Sequence, residues 1–176
     1  MKKLTRKALV IAIIAGLLVL ADGIITNVLN QDGSFTWVAF VSWTVFFSAT
    51  SNERYKAIPG YIIGFLSAIA IIKIGNIFNI LIPINFLGVA IGSIFATMII
   101  NFLCIEMEVF DKFFPISISG IFIGIAMTFS GLGVGLTTNS LKSSLLMLAI
   151  IIIYGILGLI SGWASIKYGT NTKKNN

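Results

Sequence analysis

The apolar residues of this chain are gathered into long, almost uninterrupted stretches, and this feature limits what the chain can fold into. A transmembrane helix needs about 20 mainly apolar residues. Six stretches approach that length, and only short polar segments separate them. A β-barrel would instead show shorter segments of strict apolar and polar alternation. The pattern therefore predicts helices, because lipid offers no hydrogen-bond partner to an unpaired backbone group.

Composition supports a membrane protein. The chain is 57% hydrophobic and 10% charged, whereas soluble domains carry about 25% charged residues. We predict an all-α fold, a polytopic bundle of about six transmembrane helices that forms a single domain over residues 1–176. The predicted spans are residues 8–29, 35–50, 58–74, 80–105, 115–134 and 143–168, with a break at residues 75–79 between the third and the fourth.

The distribution of basic residues predicts the orientation. With the N-terminus in the cytoplasm, ten of the twelve Lys and Arg residues lie on the cytoplasmic side, and only Lys73 and Lys142 lie outside. This asymmetry follows the positive-inside rule and favours an even number of spans with both termini inside. The expected location is a bacterial inner membrane. A cleaved signal peptide ending near Ala21 is the alternative for the N-terminus, but the apolar stretch continues to Leu29.

Glycines four residues apart recur along the predicted spans. Such pairs share one helix face and let two helices approach closely. We expect these glycines to form packing seams, and the less favoured alternative is that they line a pathway. The pairs so interpreted are Gly60/Gly64, Gly88/Gly92, Gly120/Gly124 and Gly158/Gly162. The sequence around Gly60 resembles that around Gly120, sixty residues later, which suggests a weak parallel repeat or a chance similarity of composition.

A few polar residues are candidates for a solute site. Asp22 is an acidic residue well inside a predicted span, where a carboxylate is costly and marks either a solute, cation or proton site or a group hydrated near the outer surface. Trp37 and Thr44 lie on an aromatic stripe of the second span, which could line a constriction or simply pack. Thr128 ends a face of small residues in the fifth span.

Several activities are disfavoured. The chain has no histidine, no phosphate-binding fingerprint and no nucleophile with a base, so we expect no enzyme activity, no catalytic residue and no cofactor. The acidic residues Glu106, Glu108 and Asp111 are expected to be a solvated helix end and not a metal site. The basic residues form no patch for nucleic acid.

Two motifs resemble those of a known family. One is the spacing of Trp37, Phe40, Thr44 and Phe47, and the other is the run of Gly120, Gly124, Thr128, Phe129 and Gly131. Together they are similar to the YcdZ-like family of small bacterial inner-membrane proteins, which contain an uncharacterised domain. The resemblance implies a multi-spanning membrane protein of unknown activity and transfers no functional residue.

The leading hypothesis is a small-solute channel or facilitative transporter in the lipid bilayer, acting alone or as a homo-oligomer. A compact bundle with sparse polar groups fits that role. The alternative is a non-transporting scaffold or regulatory subunit of a membrane complex. An intramembrane enzyme using Asp22 or the pair Glu106 and Glu108 is the third and weakest hypothesis.

Overall fold

A computed structural model describes residues 2–31, 34–48, 54–86, 89–107 and 115–169. For residues 2–7, 46–48 and 86 it describes the backbone alone. These residues form helices, apart from one very short β-hairpin, and the predicted all-helical class is confirmed. The elements are α1 (Lys2–Leu29), α2 (Thr36–Ser48), a 3₁₀ turn (Arg54–Lys56), α3 (Ala57–Leu81), β1 (Asn85–Phe86), β2 (Val89–Ala90), α4 (Ile91–Glu106), α5 (Ile118–Gly133) and α6 (Leu141–Gly169).

Within the described residues, three helical segments are long and apolar enough to cross a membrane, namely Ala8–Leu29, Arg54–Leu81 and Leu141–Gly169. The other helices are shorter. At 1.5 Å per residue, the 16 residues of α4 or α5 extend about 24 Å, against about 30 Å for the hydrocarbon core of a bilayer. The three long segments support a membrane protein. Six spans with both termini inside stay a prediction, because the other helices are shorter than the hydrocarbon core.

The predicted break at residues 75–79 is wrong, because α3 continues through it to Leu81. The helix instead stops before Pro83, since proline disfavours the helical conformation of the residue that precedes it. Ile82 accordingly has φ −127° and ψ 79°. The hairpin follows, and α4 begins at Ile91 rather than at residue 80. Lys73 is therefore an exposed residue within α3 and is not next to a loop.

The other predicted boundaries differ less. Residues 115–117 precede α5, where the Ser117 hydroxyl accepts a hydrogen bond from the Gly120 amide at 3.3 Å and caps the helix. Helix α6 begins two residues before the predicted span, and α1 extends to Lys2. Residues 49 and 50 of the second span lie outside the described residues.

The described chain divides into two compact units. One comprises residues 55–151 and the other comprises residues 1–54 with 152–176, so that α6 contributes residues to both. In the 55–151 unit, α4 packs antiparallel to α3: the amide of Asn79 donates to Ser93 at 3.0 Å near one end, and the thiol of Cys104 donates to Ser67 at 3.3 Å near the other. Isoleucines from α3, α4 and α5 form the core beside them.

Helices α3 and α5 cross where each has a pair of glycines. A Cβ on Gly60 would lie 2.8 Å from the backbone of Gly120, and a Cβ on Gly64 would lie 2.8 Å from the Cα of Gly124. Real Cβ atoms do not approach other atoms so closely, so the two backbones touch only because both sides lack side chains. Because Gly60 faces Gly120 and Gly64 faces Gly124, the helices run parallel, and the two similar sequence segments pack against each other.

The remaining predicted packing glycines have different surroundings. Gly92 lies against the end of α3, where a Cβ would be 2.5 Å from the backbone nitrogen of Asn79. In the 1–54 and 152–176 unit, Gly158 lies against α2, where a Cβ would be 2.6 Å from that of Ser42. Gly162 is buried, and Gly88 lies outside the described residues.

Candidate functional site: a buried carboxylate

Asp22 is buried in the unit formed by residues 1–54 and 152–176, with 5% of its surface exposed. Its Oδ1 accepts hydrogen bonds from the backbone amide of Phe35, at 3.0 Å, and from the phenol of Tyr154. Its Oδ2 accepts from the hydroxyl of Ser34 at 2.6 Å. Three donors from two parts of the chain thus converge on one carboxylate. We call Asp22, Ser34, Phe35, Thr36 and Tyr154 the Asp22 cluster.

The local sequence explains how Ser34 and Phe35 reach Asp22. Helix α1 ends at Leu29, and Asn30 adopts a left-handed conformation with φ 52°. The amide of Asn30 donates to Asn27 O at 3.2 Å and that of Gln31 donates to Thr26 O at 3.0 Å. This is a Schellman motif, in which asparagine is the commonest substitute for glycine. It reverses the chain sharply, so that the start of α2 lies beside the last two turns of α1.

The carboxylate also lies at the N-terminus of α2. Phe35 immediately precedes the first residue of that helix, and its amide is one of the donors that the helix itself leaves without a partner. A negative charge at this end is favourable because the helix dipole is positive there. The hydroxyls of Ser34 and Thr36, 3.4 Å apart, extend the polar surroundings of Asp22.

Tyr154 was not predicted as a site residue. It is 1% exposed, and its ring meets that of Phe35 edge to face with centroids 6.0 Å apart. A sequence signal did exist. Tyrosines of membrane helices favour the interfaces, whereas Tyr154 lies near the middle of α6, where a buried phenol needs a hydrogen-bond partner.

The other polar candidates are not hydrogen-bonded to Asp22 in the described structure. Trp37 is half-buried, and its indole N–H has no hydrogen-bond partner among the described residues. Thr44 is exposed, and its hydroxyl donates to Val41 O of the preceding turn at 2.6 Å. Thr128 is fully buried in the other unit and donates to Gly124 O at 2.7 Å. A common path past Asp22 and Thr128 stays a prediction.

A second polar contact joins α2 to α6 within the Asp22 unit. The hydroxyl of the buried Ser42 donates to Gly155 O at 2.6 Å, one residue from Tyr154. Gly158 packs against the same stretch of α2. The seam between these helices thus holds the phenol of Tyr154 opposite the start of α2, where Asp22 accepts its hydrogen bond.

We expect Ser42→Ala to destabilise the protein by about 1 kcal/mol, since interhelical hydrogen bonds in membranes average about 0.6 kcal/mol with a maximum near 1.7. Thr44→Ala is the matched control on the same helix, because its side chain is exposed and its hydroxyl donates to Val41 O of the preceding turn of α2. SDS-induced unfolding in bicelles measures both. An equal loss of stability in the two variants would contradict a stabilising hydrogen bond from Ser42 to α6.

The acidic residues near the end of α4 do not form a described metal site. Glu106 is exposed at the helix end, and Glu108 and Asp111 lie outside the described residues. Over the described ranges, no three or more Cys, Asp and Glu residues come together as a metal-binding group would.

Fold and site together define a helical protein with candidate membrane spans and a buried, fully hydrogen-bonded carboxylate. The chain belongs to DUF1097, a family of proteins of unknown function, whose family model matches residues 8–170. No curated protein and no solved structure matches the chain. The match supports an uncharacterised family and leaves the narrower YcdZ-like kinship as a prediction.

Proposed function

We propose that this chain is a six-span protein of a bacterial inner membrane, with both termini in the cytoplasm, and that it moves a small solute across the bilayer. The proposal includes the YcdZ-like kinship and a role that is neither enzymatic nor directed at nucleic acid. The observation that carries it is Asp22, a carboxylate within the candidate span Ala8–Leu29 that is surrounded by hydroxyl groups. Intramembrane ionisable groups are expensive and mark solute or ion pathways.

The geometry favours a solute that carries hydrogen-bond donors or a positive charge. Two of the three donors to Asp22 come from side chains that rotate, the Ser34 hydroxyl and the Tyr154 phenol. A solute donor replacing one of these would leave the carboxylate fully hydrogen-bonded, which avoids the penalty of an unpaired buried charge. The displaced hydroxyl can turn and accept a hydrogen bond from the solute.

Flux into proteoliposomes tests the proposal directly. A panel of small amines, amides, polyols and monovalent cations is offered to wild-type protein and to Asp22→Asn. We expect one class to enter faster than into empty liposomes, and Asp22→Asn to lower that flux about tenfold, as loss of one charged contact of about 1.4 kcal/mol would. Ser161→Ala is the control, because that buried hydroxyl bonds within α6 to Leu157 O at 2.7 Å.

Absence of flux for every solute from a correctly folded protein would contradict transport. One observation favours the scaffold or regulatory role in that event: the Asp22 carboxylate accepts hydrogen bonds from Ser34, Phe35 and Tyr154 and so connects α1 with α2 and α6, as a purely structural contact would. Crosslinking from the cytoplasmic side in intact cells, with recovery of one stoichiometric partner, is the corresponding test of that second function.

A further inference from the structure

A groove in the 55–151 unit has no part in the Asp22 cluster. It lies between α3 and α4 and has a volume of about 430 Å³, within the range of about 300–1,000 Å³ typical of small-molecule sites. Its α3 wall carries Ile63, Leu66, Ser67 and Ala70, which follow one helix face over about 10 Å. Its α4 wall includes Leu103 and Cys104.

The lining is suited to a hydrocarbon chain. The two polar side chains in the middle of the groove satisfy each other, since the Cys104 thiol donates to the Ser67 hydroxyl at 3.3 Å. The rims are apolar and open, with Leu66 57% and Leu103 52% exposed. Small residues on α3, Ser67 and Ala70, leave the space between these rims unfilled. Between two helices in a membrane, an open apolar groove of this kind is occupied by lipid chains and not by water.

Glu106 is the one charged residue among the described residues that line the groove, whereas Arg54 and Lys56, which precede α3 at the same end, are not part of the lining. Glu106 lines the groove at the point where α4 ends and α3, which runs antiparallel, begins. This is the end that the basic residues predict to be cytoplasmic. Glu106 is exposed at the end of α4, and a charged side chain at the end of a membrane helix is expected at the level of the lipid headgroups. A carboxylate there repels an anionic headgroup and attracts an ammonium group.

We propose that this groove binds one acyl chain of a phospholipid with an ammonium headgroup, of the phosphatidylethanolamine class, and that Glu106 pairs with the ammonium. A second copy of the chain fits less well. Membrane dimers with a two-fold axis along the bilayer normal place equivalent residues at the same depth. Docking through this groove would then bring two Glu106 carboxylates towards each other at the same depth, where like charges repel.

Native mass spectrometry of the full chain, released from detergent with phosphatidylethanolamine or phosphatidylglycerol of identical acyl chains, tests the site. We expect one tightly retained lipid and a preference of about threefold for phosphatidylethanolamine, the effect of an exposed ion pair. Glu106→Gln should abolish the preference while retention continues. Ala70→Phe should fill the groove and remove the retained lipid. Met98→Phe, at a 61% exposed position of α4 outside the groove lining, is the control and should match wild type.

Alkylation of a cysteine introduced at Leu103, which is 52% exposed on the rim of the groove, gives a second readout that needs no groove-filling variant. The native Cys104 is buried, and a lipid occupying the groove should slow the reaction of the introduced thiol with a membrane-permeant maleimide severalfold. Equal retention of the two lipids by wild type, or retention unaffected by Ala70→Phe, would overturn the proposal. So would a concentration-dependent dimer that Ala70→Phe dissociates, because the occupant would then be a second copy.

Discussion

Gly64→Ala is expected to destabilise the protein by about 3 kcal/mol, the upper part of the range for overpacking. The added methyl group would lie 2.7 Å from the Ile125 amide nitrogen and 2.8 Å from the Gly124 Cα, and it would be closer still to the Ile121 carbonyl oxygen. All three are backbone atoms of α5, which cannot rotate away as a side chain would. Helices α3 and α5 must therefore separate, and their core contacts weaken along the crossing.

Gly75→Ala is the matched control in the same helix. A Cβ at Gly75 would meet its nearest neighbours on α4 at 3.5 Å, which is ordinary van der Waals contact. Alanine also favours helix over glycine by about 1 kcal/mol, so this variant should be neutral or slightly more stable. Steric trapping in bicelles measures both. A Gly64→Ala protein as stable as Gly75→Ala would show that the α3–α5 crossing is wider than described.

Asp22→Ala is the second change with a large expected effect, again about 3 kcal/mol, because it leaves two buried donors, the Phe35 amide and the Tyr154 phenol, without an acceptor at about 1.5 kcal/mol each. The third donor, the Ser34 hydroxyl, is exposed and adds less. The variant also removes the cost of a carboxylate in the membrane. That cost is larger in the unfolded state, where α1 is inserted without its partners. The substitution therefore lowers the free energy of the unfolded state more than that of the native state, which further reduces the free energy of unfolding.

A graded series separates the donors. Tyr154→Phe removes one donor and keeps the ring against Phe35, so we expect a loss of about 1 kcal/mol. Combining it with Asp22→Ala should cost less than the sum of the two, because the phenol has no acceptor once Asp22 is gone. Additive effects in this double-mutant cycle, measured by the same trapping method, would contradict the hydrogen bond between them.

The glycine pairs of the sequence indicated close helix packing but not which helices meet. Spacing four apart places Gly60 and Gly64 on one face, and this follows from local geometry alone. That this face meets Gly120 and Gly124 depends on the path of the whole chain between them. The incorrect prediction of a helix break at residues 75–79 has a similar origin. Gly75 and Asn79 read as turn residues, yet Gly75 packs against Ser93 and Asn79 donates to it, so tertiary contacts outweigh local propensity.

The candidate site could be located in part. Asp22 stood out because a charge within an apolar stretch must be paired. Its partners Ser34 and Phe35 follow from the Schellman turn, which a sequence with Asn30 permits but does not require. Tyr154 lies 132 positions further along the chain, and no local pattern connects it with Asp22. Membership in DUF1097 likewise adds a family and no functional residue.

Spin-label accessibility in lipid nanodiscs tests most directly whether lipid surrounds this chain. Single cysteines are introduced in a Cys104→Ala background at Leu17, Phe102 and Ile160, which are 59%, 62% and 54% exposed on α1, α4 and α6. We expect labels there to collide often with molecular oxygen and rarely with a water-soluble nickel chelate. Frequent collision with the nickel chelate at all three positions would contradict it.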